Sequence, residues 1–384
     1  MSKKRLAVFL DGTWNTPEDK TSVHRLYEST VAGIAPDGVE QRTFYRTGVG
    51  TKWSERFSGG AFGVGLSRNV LDAYRWLVDN YAEGDDIYLF GFSRGAYTAR
   101  SLGGVIVNCG LLRQGARLTT DDIYERYRAG KEVDPIYRLE FIQRNGERPL
   151  TDSEKRLLND SRRIEIHVLA VWDTVGALGV PWTAAPLVGK GNFYFHNTNP
   201  SRIYDHCYHA LAIDEHRAPY KPTFWTRFTP QDKDPLTDPH TPPPQIEQRW
   251  FVGAHSNVGG GYKGDCLCLL PLAWMQEKVT GHGLAFSSPI QPSPGDIDGA
   301  PTDSFADFMK GIYKVVRLGK RYYRPIGAPS RQVKKGWSTS IKETIDASVF
   351  AKYRRDPAYR PPNLQDWAKR RGIDLLAITG DQRA

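Results

Sequence analysis

The chain predicts an α/β fold with a mostly parallel central sheet, helices on both faces and an inserted cap region. Three observations lead there. Short apolar runs closed by glycine-containing turns alternate with stretches of helical periodicity, the pattern of strands laid side by side through crossover helices. The run Ile87-Tyr88-Leu89-Phe90 enters Gly91-Phe92-Ser93-Arg94-Gly95, and an apolar helical stretch over 96–107 leaves it. A β-branched run over 164–171 then resumes the sheet.

Taken in order, Arg5-Leu6-Ala7-Val8-Phe9-Leu10 reads as a buried strand stopped by the turn Asp11-Gly12-Thr13. Val23, Leu26, Tyr27 and Val31 have helical spacing, and residues 41–46 form a second strand candidate closed by Gly48-Val49-Gly50. Leu66, Val70, Tyr74, Leu77, Val78 and Tyr81 mark an amphipathic helix that Gly84 stops. Residues 119–160 are charged and tyrosine-rich, with helical patches, and read as a surface insertion. Between 178 and 245 periodicity fades into proline and aromatics, among them Trp182, Phe193, Tyr194, Phe195, Tyr220, Phe224 and Trp225. That segment is either a cap with an aromatic acyl pocket or a long connection packed by its own rings. Arg249-Trp250-Phe251-Val252-Gly253 reads as the final strand and 267–275 as the closing helix. The expected organisation is one domain over 1–286, with insertions at about 119–160 and 178–245, and a C-terminal extension or small subdomain over 287–384.

Composition sets the bounds. A 384-residue chain that is 40% hydrophobic and 12% aromatic buries a sizeable core and is not disordered. No stretch approaches the roughly 18 consecutive apolar residues of a membrane helix, and the Met-Ser-Lys-Lys-Arg start has no signal-peptide core. The expectation is synthesis as a soluble cytoplasmic protein, with any export through a signal-independent system. Cys109, Cys207, Cys266 and Cys268 follow no disulfide or zinc pattern and read as reduced packing residues. The net charge of +9 is spread along the chain and is weak support for an anionic membrane surface; no nucleic-acid module is present.

The pentapeptide around Ser93 is a nucleophile elbow, a strand-to-helix turn that lifts a serine above the edge of a sheet. A serine hydroxyl needs a histidine base, and the histidine an acid that fixes its tautomer. In an α/β-hydrolase-like fold these follow the serine in the order acid, then histidine, each beyond a later strand. Asp173 ends the strand over 164–171, and His255 follows the strand before the glycine-rich Gly253-Ala254-His255-Ser256-Asn257-Val258-Gly259-Gly260-Gly261. Asp214, after the short run 210–213, is the alternative acid. The oxyanion donors expected are the amide of Arg94 and one from Gly12 or Thr13. Asp11 is expected to bond neighbouring amides in its turn. The mechanism requires no cofactor and no metal. His206, His209 and His216 lie near Asp214, but their spacing matches no standard metal signature.

Together these pieces resemble a bacterial family of uncharacterised α/β-hydrolase domains whose best understood members are type VI secretion phospholipase effectors. The resemblance rests on Phe9-Leu10-Asp11-Gly12-Thr13-Trp14-Asn15, Gly48-Val49-Gly50-Thr51, Gly91-Phe92-Ser93-Arg94-Gly95-Ala96, Val171-Trp172-Asp173-Thr174-Val175-Gly176 and residues 250–262, spanning 5 to about 275. It implies a serine hydrolase of phospholipid acyl esters, with Ser93, Asp173 and His255 at the triad positions and peripheral contact with a membrane. The family commonly has Asp where this chain has Asn257, and its effectors carry larger membrane-docking insertions. The rival expectations are an esterase for soluble or non-lipid esters and a non-catalytic binding module on the same fold.

Overall fold

A computed structural model describes residues 3–12, 15–48, 59–176, 203–231, 245–307, 314, 318–333 and 336–384, with side chains left out of account at 59–66 and 131. Its first strand, β1 (Lys4–Leu10), is apolar almost throughout because both of its faces are covered. Leu6, Val8 and Leu10 face one layer, and Ala7 and Phe9 the other. On the first face lie α2 (Gly59–Asn80) and α3 (Arg94–Cys109), packed through Val70, Tyr74, Leu77, Ala99 and Leu102. On the second lie α1 (Ser22–Ser29) and a later helix, Leu269–Thr280, packed through Val23, Leu26, Leu272 and Met275. Thr21 begins α1 by accepting the His24 amide, so its hydroxyl hydrogen remains available to another partner.

Among the described residues the sheet has nine strands. Beside β1 lie β3 (Glu40–Arg46), edged by the short β2 (Gly33–Ile34), and on the other side β4 (Asp86–Phe92). Beyond β4 come β7 (Ile166–Trp172), β8 (Tyr204–Ala212), β10 (Gln245–Phe251), β13 (Glu343–Ile345) and β14 (Gln382–Arg383). All pairings are parallel except those of the two edge strands β2 and β14. The remaining strands lie outside this sheet: β5 (Leu111–Leu112) pairs with β6 (Ser161–Arg162), and β12 (Gly336–Ser340) lies between β9 (Thr226–Pro230) and β11 (Arg331–Val333). The chain is an α/β-hydrolase-like protein with a mostly parallel sheet and helices on both faces. Strand order reverses direction between β1 and β4, and the crevice beyond their carboxyl ends is where open α/β sheets take ligands.

Three expectations change. The stretch 178–245 is not one insertion, because β8 runs through its middle as an internal strand of the sheet. Asp205, His206 and His209 break up the apolar run there, so the sequence hides a strand that the neighbouring β7 and β10 hold by hydrogen bonds on both sides. Nor is β10 the last strand, since Gln248, Arg249 and Trp250 pair in parallel with Glu343, Thr344 and Ile345. Residues beyond 287 therefore complete the sheet, and Ile326, Ile345, Phe350 and Trp367 build an apolar cluster with Leu211 and Trp250 from the preceding strands. The insertion at 119–160 is three helices, Thr120–Ala129, Ile136–Asn145 and Asp152–Asp160, the first and last opened by capping boxes at Thr119 and Thr151. Thr13, Val49, Gly50, Trp182, Phe193, Tyr194, Phe195 and most of the helical stretch expected near 305–318 lie outside the described residues.

Candidate active site

Ser93 sits between β4 and α3 with φ 57° and ψ −119°, a left-handed conformation that non-glycine residues rarely adopt. The two glycines of the elbow are required by close approach. A Cβ on Gly95 would lie 2.1 Å from the Leu10 carbonyl oxygen, and one on Gly91 would lie 2.5 Å from the Gly95 carbonyl oxygen. The Ser93 amide donates to the Trp172 carbonyl at 3.0 Å, which ties the elbow to the end of β7.

That strand end delivers Asp173, and the end of β10 delivers His255 at the start of the short helix His255–Gly259. Nε2 of His255 lies 2.7 Å from the Ser93 hydroxyl, and its Nδ1 lies 2.5 Å from Oδ2 of Asp173. The three side chains that the sequence singled out thus form one hydrogen-bonded line, and all three are buried. Burial lowers the proton affinity of His255, and the bond to Asp173 partly restores it. Burial pushes Asp173 the other way, but Arg324 and His255 outweigh it and hold the carboxylate below its ordinary range.

Arg324 was not visible to sequence reasoning. It lies 151 residues from Asp173 in the chain, and its two terminal nitrogens donate to Oδ1 at 2.6 Å and Oδ2 at 2.9 Å. The same nitrogens bond the carbonyls of Ala212 and Tyr220, and the Ala212 amide donates to Asp173 Oδ1 at 3.2 Å. A second carboxylate, Glu215, accepts the His255 amide at 3.3 Å and the Ser304 hydroxyl at 3.0 Å, and Arg217 pairs with it through two side-chain nitrogens. The Tyr220 ring stands edge-on to His255 at 5.0 Å, and Phe92 lies 4.7 Å from it on another side. Of the aromatics expected to line a pocket, Tyr220 reaches the site, whereas Trp225 is fully buried and Phe224 packs on Trp250.

The alternative acid, Asp214, is elsewhere. It accepts the Gly253 amide at 2.7 Å and the Tyr359 hydroxyl at 3.1 Å, and burial raises it to about 6. Asn257 caps the turn around His255, its Oδ1 accepting the amides of Ala254 and Thr302. Gly12 lies against the elbow, since a Cβ on it would be 3.3 Å from Cβ of Ser93. Its amide, however, donates to Asp11 Oδ1 at 2.7 Å and is not free for an oxyanion. Asp11 also accepts the hydroxyls of Thr21 and Tyr45, so it holds the turn together.

The three histidines near Asp214 in sequence do not meet. His209 is buried in the sheet, accepting the Thr174 amide, with its other nitrogen beside Gln248, and His216 lies against Tyr322 and Tyr323. His206 instead meets His167 and His282.

Over residues 4–278 the chain matches the family described as T6SS, phospholipase effector Tle1-like, catalytic domain. Among curated proteins it is 23% identical over 378 residues to the uncharacterized protein YEL023C of Saccharomyces cerevisiae, covering 92% of this chain and 52% of that protein. The chain therefore spans about half the length of that relative. Similar solved structures include an uncharacterized protein from Pseudomonas aeruginosa, at 16% identity and TM-score 0.41, covering 76% of this chain and 47% of that one. The Tle1 effector bound to the VgrG spike of the type 6 secretion system follows at 14% identity and TM-score 0.36, over 69% and 52% of the two chains. The esterase Est2 of the planctomycete Thermogutta terrifontis has 13% identity and TM-score 0.36, over 74% and 83%.

Proposed function

This chain belongs to the family of Tle1-like phospholipase effector catalytic domains of type VI secretion, and from that premise we propose that it is a serine hydrolase cleaving phospholipid acyl esters through an acyl-enzyme. The observation that carries this reading is the line from Ser93 through His255 to Asp173, with contacts of 2.7 and 2.5 Å.

In this mechanism His255 takes the Ser93 proton as the hydroxyl oxygen attacks the ester carbonyl. Asp173 holds the ring in the tautomer that presents Nε2 to the serine and stabilises the imidazolium. The oxyanion is met by the amide of Arg94, at the N-terminus of α3 where the helix dipole favours negative charge, and by a second amide from the turn after β1. Because the Gly12 amide is engaged by Asp11, Thr13 is the proposed second donor. His255 then protonates the leaving alcohol, activates a water against the acyl-enzyme and returns the proton to Ser93 as the acid departs. No metal takes part.

The test is purified chain with micellar phospholipid, its products read by lipid mass spectrometry, beside a short-chain nitrophenyl ester and a fluorophosphonate label. Fatty acid release together with labelling that Ser93→Ala abolishes supports the proposal. Turnover of the nitrophenyl ester alone assigns an esterase for non-lipid substrates. A well-folded chain that Ser93 does not label is a binding module.

A further inference from the structure

Three histidines that the chemistry at Ser93 does not use converge at the opposite end of the sheet. His167 stands near the start of β7, His206 near the start of β8, and His282 in the turn after the helix Leu269–Thr280. One ring nitrogen from each lies within 4.8 Å of the other two. Six residues of extended β7 separate His167 from Asp173, so the cluster is roughly 20 Å from the triad.

We propose that His167, His206 and His282 form a binding site for one divalent transition-metal ion of the zinc class, with a fourth position left to water. Imidazole nitrogen is the ligand that zinc, copper and nickel share, and three of them with an open position make a stable tetrahedral set.

The details fit ligand duty. Nδ1 of His167 lies 2.9 Å from Asp205 Oδ2, which leaves its Nε2 for the ion, the carboxylate–histidine arrangement that orients metal-bound imidazoles. Nδ1 of His206 is buried and has no hydrogen-bond partner among the described residues, a cost that a bound cation would remove. The His206 and His282 rings stack at 3.6 Å with 22° between their planes, and the Tyr208 hydroxyl lies 2.6 Å from Nε2 of His282; the ion takes the place of these contacts when the His282 ring turns toward it.

A tetrahedral zinc ion with bonds of about 2.0–2.1 Å needs its nitrogens roughly 3.4 Å apart. Reaching that spacing from 4.8 Å requires a ring to turn, and His282 stands in a turn between Gly281 and Gly283 rather than in a strand. All three rings are partly exposed, so an ion can enter from solvent. The ion would tie β7, β8 and the turn after the covering helix together. Its role is structural and is independent of the reaction at Ser93.

The test uses the full, untagged chain after chelator treatment. Calorimetric titration with Zn2+ should give saturable binding of one ion per chain, Co2+ should give the strong visible absorption of a four-coordinate site, and Zn2+ should raise the unfolding temperature. His206→Gln and His282→Gln should each weaken binding at least tenfold and abolish the thermal shift, and Asp205→Asn should weaken it by about 10–100-fold. His216→Gln should leave binding unchanged. Absence of saturable binding by the unmutated chain, or of the cobalt absorption, overturns the proposal without reference to any variant. So does binding that survives the double variant His206→Gln/His282→Gln.

Discussion

Arg324 and Asp173 form a two-pronged ion pair in which neither side chain has any exposed surface. Asp173 also takes the Nδ1 side of His255, so this carboxylate neutralises one permanent cation and remains the partner of the ring that gains charge in the proposed proton transfer. Burying an aspartate beside His255 without Arg324 would raise its proton affinity and favour a neutral acid. With Arg324 present, Asp173 stays ionised and fixed in place.

Removing the guanidinium should therefore damage both stability and turnover. Arg324→Met leaves Asp173 buried without its charge partner, and we expect a loss of about 3–5 kcal/mol in denaturant unfolding. In Arg324→Lys, which keeps the charge but loses one prong, kcat should fall more than KM changes. Activity equal to that of the unmutated chain in Arg324→Lys would mean that geometry at Asp173 is unimportant.

Ser93→Ala and His255→Ala should each reduce ester turnover by about 10⁴-fold or more while leaving the thermal unfolding transition cooperative. Asp173→Asn should cost about 10⁴-fold through the wrong tautomer of His255. Steady-state assays with a nitrophenyl ester, alongside circular dichroism melts, check all three.

Asp214→Asn separates the two aspartates. One oxygen of Asp214 accepts both the Gly253 amide and the Tyr359 hydroxyl, and an asparagine oxygen can do the same. Turnover should stay within a few fold, and a loss as large as that of Asp173→Asn would reassign the acid. The pH dependence of stability carries a sign. Burial raises folded Asp214 from 3.8 to about 6, so its penalty is absent below the unfolded value and fully present above the folded one. Stability of the unmutated chain should fall between about pH 4 and 6 by on the order of 3 kcal/mol from this group, and Asp214→Asn should flatten that slope in urea titrations.

Gly95→Ala should destabilise the chain by about 3 kcal/mol or more. The new Cβ meets the backbone oxygens of Leu10 and Asp11 at 2.1 and 2.4 Å, and neither can move without bending β1. Guanidinium unfolding against Ala99→Ser as a reference measures it.

A chain ending at residue 286 should not fold to a cooperative unit. It loses Arg324, the strand β13 beside β10, and the cluster in which Trp250 packs against Ile345 and Phe350. Soluble, cooperatively melting protein from that truncation would show that the extension is dispensable.

Much of the site was legible because its parts are local. The elbow needs glycines two residues either side of Ser93, and the proposed acid and base each follow an apolar strand, so spacing along the chain carries the signal. The strand β8 was hidden for the opposite reason. Its His209 is satisfied by the Thr174 amide and by Gln248, partners that only folding supplies, so a buried strand looks polar when read alone. The bond from the Gly12 amide to Asp11 likewise appears only in the folded turn.

The alternation of strand and helix, the strand-turn-helix around Ser93, and the order of Asp173 and His255 after it can be read along the chain, because short-range sterics and periodicity govern all of these. Only the tertiary structure decided what surrounds them. It brings Arg324 across 151 residues to Asp173, sets Glu215 and Arg217 behind the His255 amide, draws residues 343–345 into the sheet, and gathers His167, His206 and His282 at its far end. The physical reason is that a buried charge or an unpartnered imidazole is satisfied by whichever side chain the fold carries to it, and separation along the chain places no limit on that choice.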